Sequence, residues 1–142
     1  MNWWNKPLIE TNNMDSVNQE RVGFEEIQAV IQRHSSQEIL ISTLPENKQH
    51  CLIRNTISIP DEITTLNESL EKRNWQLTIY IYGLNHTDKT VERKQQQLKK
   101  MGFRHVHVYL GGLFEWLLLQ DVYGNKEFPT TSIQTDILQY KP

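Results

Sequence analysis

The chain has 142 residues, enough for one domain with a real hydrophobic core. Hydrophobic residues make up 37% and charged residues 23%, which excludes a wholly disordered chain. A net charge of −2 gives no basic excess to attract nucleic acid or an anionic membrane, so neither is an expected partner.

Residues 1–21 are rich in asparagine and read as an N-terminal extension. Trp3, Trp4, Leu8 and Ile9 interrupt that pattern, either to dock on the domain or to meet a partner. The opening MNWWNKPLIETNN has no charged start followed by an apolar run, so no signal peptide is expected. Phe24, Ile27, Val30 and Ile31 recur at helical spacing, with Glu25 and Glu26 at the positive end of the dipole. EILIST then reads as a short buried strand, and CLIRNTISIP as one or two more, with Asn55 at a turn. Pro60 opens a helix whose inner face is Ile63, Leu66 and Leu70. QLTIYIY is the clearest strand, apolar on both faces as in the middle of a parallel sheet. The helix TVERKQQQLKKM follows, capped by Asp88, stopped at Gly102 and thinly apolar at Val91, Leu98 and Met101. HVHVYL is the next strand, Gly111-Gly112 a turn, and LFEWLLLQDVY a helix apolar almost all round. Residues 124–142 form a mixed C-terminal tail.

This alternation predicts an α/β domain with a mainly parallel sheet and helices on both faces. In such sheets ligands bind at the carboxyl ends of the strands, which singles out the loop Gly83 to Lys89. Free backbone N–H groups at a helix start favour an anion there, and an ordinary capped turn is the plain alternative. The candidate binding residues are Gly83, Leu84, Asn85, His86, Thr87, Asp88 and Lys89.

Several chemistries are tested against that loop. Gly83, Lys89 and Thr90 fit the phosphate-cradling pattern G-x-x-x-x-G-K-[ST], but Asp88 replaces its second glycine and would repel phosphates. Covalent catalysis needs an activated nucleophile. Gly83 has no side chain; Thr87 and Thr90 offer hydroxyls, with His86 as the nearest base. Cys51, the single cysteine, excludes an internal disulfide, fits a reducing, cytoplasmic setting, and reads as an inert packed thiol. His105 and His107 stand two apart with no third ligand nearby and read as strand packing, so neither a metal nor a cofactor is expected.

At MGFRHVHVYLGGLFEW the chain resembles the end of a rhodanese-like (sulfurtransferase homology) domain. Met101-Gly102-Phe103 matches the family's helix end, Val106 to Leu110 its strand, and Gly111-Gly112-x-x-x-Trp116 the start of its last helix. The likeness spans about residues 22–123 and implies a three-layer sandwich around a parallel sheet. It also implies that the position after IYIY carries the persulfide cysteine; here that residue is Gly83. The family's early aspartate and arginine become Ser42 and Leu44. The stretch from Gly83 to Gly102 is longer than in common sulfurtransferases, as in the related cell-cycle tyrosine phosphatases, and Lys89 is a weak substitute for their forked arginine. A domain without sulfurtransferase activity, acting in binding or regulation, is therefore expected, and Cys51 is expected near the opposite rim of the sheet. The alternatives are an enzyme with an unrecognised nucleophile and a module that self-associates or captures a partner through Leu113, Phe114, Trp116 and Leu117. Those residues are equally open to being covered by the tail or by the N-terminal tryptophans.

Overall fold

The computed structural model describes residues 20–142. Trp3, Trp4, Leu8 and Ile9 lie outside the described residues. In chain order the elements are β1 (Arg21–Val22), α1 (Phe24–Arg33), β2 (Glu38–Ser42), α2 (Ile59–Glu71), β3 (Thr78–Tyr82), α3 (Lys89–Met101), β4 (His105–Tyr109) and α4 (Gly112–Tyr123). Single 3-10 turns at Glu46–Lys48 and Ile137–Tyr140 complete the order. The four strands form one parallel sheet in the order β1-β4-β3-β2.

The two faces of the sheet follow from strand periodicity. In β3, Ile79 and Ile81 point to one side and meet Val106 and Val108 of β4, Leu66 of α2, and Val91 and Leu98 of α3. Tyr80 and Tyr82 point to the other side, into a cluster with α1, α4 and the tail. Both faces are covered, so the strand reads as an unbroken apolar run. The expected three-layer sandwich is therefore present.

Several local expectations are corrected. β1 was not foreseen, because two residues are too few to show a period; Arg21 and Val22 pair with Val108 and Tyr109 and straddle the expected domain boundary. CLIRNTISIP makes only isolated bridges, Leu40 with Thr56 and Ile53 with Thr130. Its backbone is satisfied elsewhere: Arg54 N donates to Pro129 O (3.0 Å), Thr131 N to Leu52 O (2.8 Å), and Ile53 N to the Tyr82 hydroxyl (3.1 Å). Asn55 does sit at a turn, at φ 69°. On α2 the inner stripe is Glu62, Leu66, Ser69 and the half-buried Leu70, as expected for Leu66 and Leu70, whereas Ile63 is 56% exposed. The helix is turned so that Glu62 pairs with Lys94 of α3 (2.7 Å). Met101 is likewise exposed, beside the Gly102 stop at φ 116°.

The apolar helix α4 is covered by the tail. Phe128 packs edge-on to Trp116 (5.1 Å between ring centroids), Trp116 Nε1 donates to Pro129 O (3.2 Å), and Gln120 Nε2 to Phe128 O (2.8 Å). Leu113, Trp116 and Leu117 are therefore buried and Phe114 half-buried. α4 exposes Leu118, Val122 and Tyr123 instead. No helix among the described residues is long and apolar enough to cross a membrane.

Candidate functional site: the loop after β3 and the cleft beside it

β3 delivers the chain to Gly83 at the carboxyl edge of the sheet, and Asp88 caps α3 six residues after the strand ends. Between them the loop folds on its own side chains. Asp88 Oδ1 accepts from Thr90 N (3.1 Å) and the Thr90 hydroxyl (2.6 Å), as an N-cap should. Its other oxygen, Oδ2, reaches back to accept from Leu84 N (2.9 Å). Asn85 Oδ1 accepts from Thr87 N (2.9 Å) and the Thr87 hydroxyl (2.6 Å). The amide of Asn85, itself buried, donates to the carbonyl of Tyr140 (2.8 Å) and so fastens the tail to the loop.

The other side of the loop is held by α4. Leu113 N donates to Gly83 O and Phe114 N to Leu84 O, both at 2.9 Å. Gly112 permits this approach: it sits at φ 68°, and a Cβ there would lie 2.7 Å from Gly83 O. Gly112, the second glycine of the pair, is thus explained by the loop it clamps.

Gly83 has no room for a side chain. A Cβ at this position would stand 2.4 Å from Asp88 Oδ2, 2.7 Å from Val91 Cγ2 and 2.9 Å from Thr43 Oγ1. The carboxylate of Asp88 fills the space just above the glycine. Of the seven residues singled out, Gly83 and Asn85 are buried, Leu84 and Asp88 half-buried, and His86, Thr87 and Lys89 exposed. The hydroxyls of Thr87 and Thr90 are engaged by Asn85 and Asp88 rather than by His86.

Beside the loop lies a cleft of about 310 Å³. Thr43 and Leu44 after β2, Ile59 and Glu62 at the start of α2, and Thr90, Arg93 and Lys94 of α3 line it. The Thr43 and Thr90 hydroxyls are 2.9 Å apart and form the wall shared with the loop. From the sequence, Lys89 is the cation nearest the loop. Arg93 lies one helical turn further on, and only the folded α3 brings it to the end of β2.

Cys51 corrects another expectation. It lies in the long loop that leaves the carboxyl end of β2, in the same core cluster as Tyr82, and not at the opposite rim. The expectation had assumed a strand where the chain makes none. The thiol is buried and donates weakly to Ser132 O (3.6 Å); burial raises its pKa, which keeps it a thiol. His107 stacks on Tyr80 (5.3 Å between ring centroids). Among the described residues no group of three or more His, Cys, Asp or Glu is arranged to hold a metal ion.

Around the loop, polar groups are tuned by burial. Burial raises the pKa of Tyr82, whose hydroxyl accepts from Ile53 N. The Thr56 hydroxyl already donates to Ile53 O (2.6 Å), which leaves Tyr82 as donor in their 2.7 Å bond. Burial, then its bond to Glu115 (2.7 Å), likewise holds Tyr109 neutral. At the other end of the sheet the Arg33 guanidinium lowers the pKa of Glu38 through a bidentate bond (2.9 and 2.7 Å).

A family model for the rhodanese-like domain matches residues 25–119, about two-thirds of the chain. The chain belongs to the rhodanese-like domain family. Solved structures agree on the fold. The BH2092 protein from Bacillus halodurans is 15% identical at a TM-score of 0.62, with 83% of each chain covered. A full-length protein from Lactobacillus plantarum is 13% identical at a TM-score of 0.60, covering 91% of this chain and 99% of its own. The rhodanese-like domain of Alr3790 from Anabaena sp. is 18% identical at a TM-score of 0.56, with 80% of each chain covered. A comparison with curated proteins gives no match. In this rhodanese-like domain, the position that the sequence resemblance assigns to the sulfur-carrying cysteine is Gly83, beneath the Asp88 carboxylate.

Proposed function

We propose that this rhodanese-like domain does not carry sulfur and acts by binding, in a regulatory or adaptor role, through the surface around Gly83–Lys89. The observation that supports this most is the occupied hollow above Gly83, where Asp88 Oδ2 sits 2.4 Å from the place of any Cβ. A persulfide relay needs a thiolate at the loop and donors free to receive the sulfur-bearing anion. Here the backbone provides no thiol, and the carboxylate has taken the Leu84 and Thr90 N–H groups. Removing a covalent nucleophile costs orders of magnitude in rate while binding survives. The exposed rim, His86, Thr87 and Lys89, remains accessible to a ligand or partner. A net charge of −2 favours a partner other than nucleic acid, and a single reduced cysteine suits a cytoplasmic setting.

The test is a thiosulfate:cyanide assay and a phosphate-ester assay on the purified chain, with intact mass measured after incubation with thiosulfate. We expect background rates and no added sulfur. Turnover abolished by Cys51→Ala would transfer the chemistry to that thiol and overturn the reading.

A further inference from the structure

The cleft between the end of β2, the start of α2 and the first turns of α3 has the makings of a ligand site, and it is distinct from the filled hollow at Gly83. We propose that it binds a small molecule carrying an oxyanion, phosphate or carboxylate, on an apolar body about one ring in size. This rests on the binding role proposed above and names the place and the ligand class.

Size comes first. A volume of about 310 Å³ lies at the lower end of pockets that hold small organic molecules. The cleft opens beside the carboxyl ends of parallel strands, where α/β sheets place their ligands. Its floor is apolar: Leu44 is buried, while Ile59 is 37% exposed at the cleft without a cover.

Charge then orients the occupant. Glu62, only 9% exposed, and Lys94 form an ion pair at 2.7 Å that is complete in itself. Arg93 projects into the same cleft and has no acidic partner among the described residues. With one pair neutralised, the cleft keeps one positive charge, on a guanidinium whose planar fork suits a carboxylate or phosphate. The Glu62 carboxylate repels a second acid deeper in, so the anionic head lies at Arg93 and the apolar body against Leu44 and Ile59. The Thr43 and Thr90 hydroxyls line the wall shared with the loop, with the Thr90 proton already donated to Asp88 Oδ1 (2.6 Å). Asp88 already occupies the Leu84 and Thr90 N–H groups, and its carboxylate above Gly83 repels an anion there.

Phenyl phosphate and benzoate are the probes, with inorganic phosphate and benzyl alcohol as half-ligands, in calorimetric titrations of the full chain at low salt. We expect at least one whole probe to bind more tightly than either half. Arg93→Gln should weaken it about tenfold or more, because a charge-assisted hydrogen bond is lost. Ile59→Thr should weaken the ring-bearing probes and leave inorganic phosphate unchanged. Arg93 is exposed, so its variant keeps the fold, which circular dichroism verifies. No binding at millimolar probe overturns the proposal. So does binding that is insensitive to Arg93→Gln but altered by Asp88→Asn, which would place the anion in the loop. The sulfur-transfer assay is separate: turnover there would sink the non-catalytic reading alone, whereas absence of Arg93-dependent binding sinks the cleft alone.

Discussion

The loop after β3 and the cleft next to it share a wall at Thr43 and Thr90, yet they are opposites. The loop is folded on itself: Asp88 accepts from Leu84 N and Thr90 N, Asn85 accepts from Thr87 N, α4 holds the carbonyls of Gly83 and Leu84, and Tyr140 closes it from the tail. The cleft is unsaturated, with a free guanidinium and an uncovered isoleucine. A buried polar group must find a partner, and here the nearest partner was internal.

The sharpest way to break this comparison is to unfasten the loop. Tyr140→Ala empties a fully buried aromatic position in the cluster beneath the loop, and should cost about 3–5 kcal/mol in denaturant unfolding. Tyr140→Phe removes only a hydroxyl that has no hydrogen-bond partner among the described residues, and should change stability by less than about 0.5 kcal/mol. If both variants behave alike, the tail is not what holds the loop closed.

The filled hollow is tested next. Gly83→Cys forces a side chain against Asp88, Val91 and Thr43, and should destabilise by about 1–3 kcal/mol. Combined with Asp88→Gly the loss should be less than the sum of the two single effects, measured as a double-mutant cycle. Strict additivity would mean that the carboxylate does not occupy that space.

Smaller effects sharpen the picture. Asp88→Ala removes the cap of α3 and the bond to Leu84 N, and should cost about 0.5–2 kcal/mol in thermal or chemical unfolding. Beneath the loop, Tyr82 has its folded-state pKa raised above the unfolded value of about 10. Its contribution is fully present below pH ~10 and is lost as pH rises through the folded value. Tyr82→Phe should therefore flatten part of the alkaline loss of stability; Tyr80 and Tyr109, raised in the same direction, supply the remainder. An unchanged alkaline limb would show that Tyr82 is not held neutral. Arg93→Gln, in the unsaturated cleft, should leave stability within about 0.5 kcal/mol. A large loss there would mean that Arg93 is already engaged in the fold.

The sequence by itself determined the layered α/β architecture, because β3 is an unbroken β-branched and aromatic run, β4 alternates, and Asp88 and Gly102 bound α3 by local chemistry. It also determined that Gly83 offers no nucleophile, since a missing side chain is visible without any fold. Only the tertiary structure decided that Asp88 fills the space above Gly83, that the tail covers Trp116 and Leu117, and that Cys51 lies in a loop without a strand. It also brought Arg93 opposite Leu44 and Ile59. Helical and strand periods are set by neighbours within a few residues. Which side chain satisfies a distant backbone group depends on how whole elements pack, and no short window of sequence contains that information.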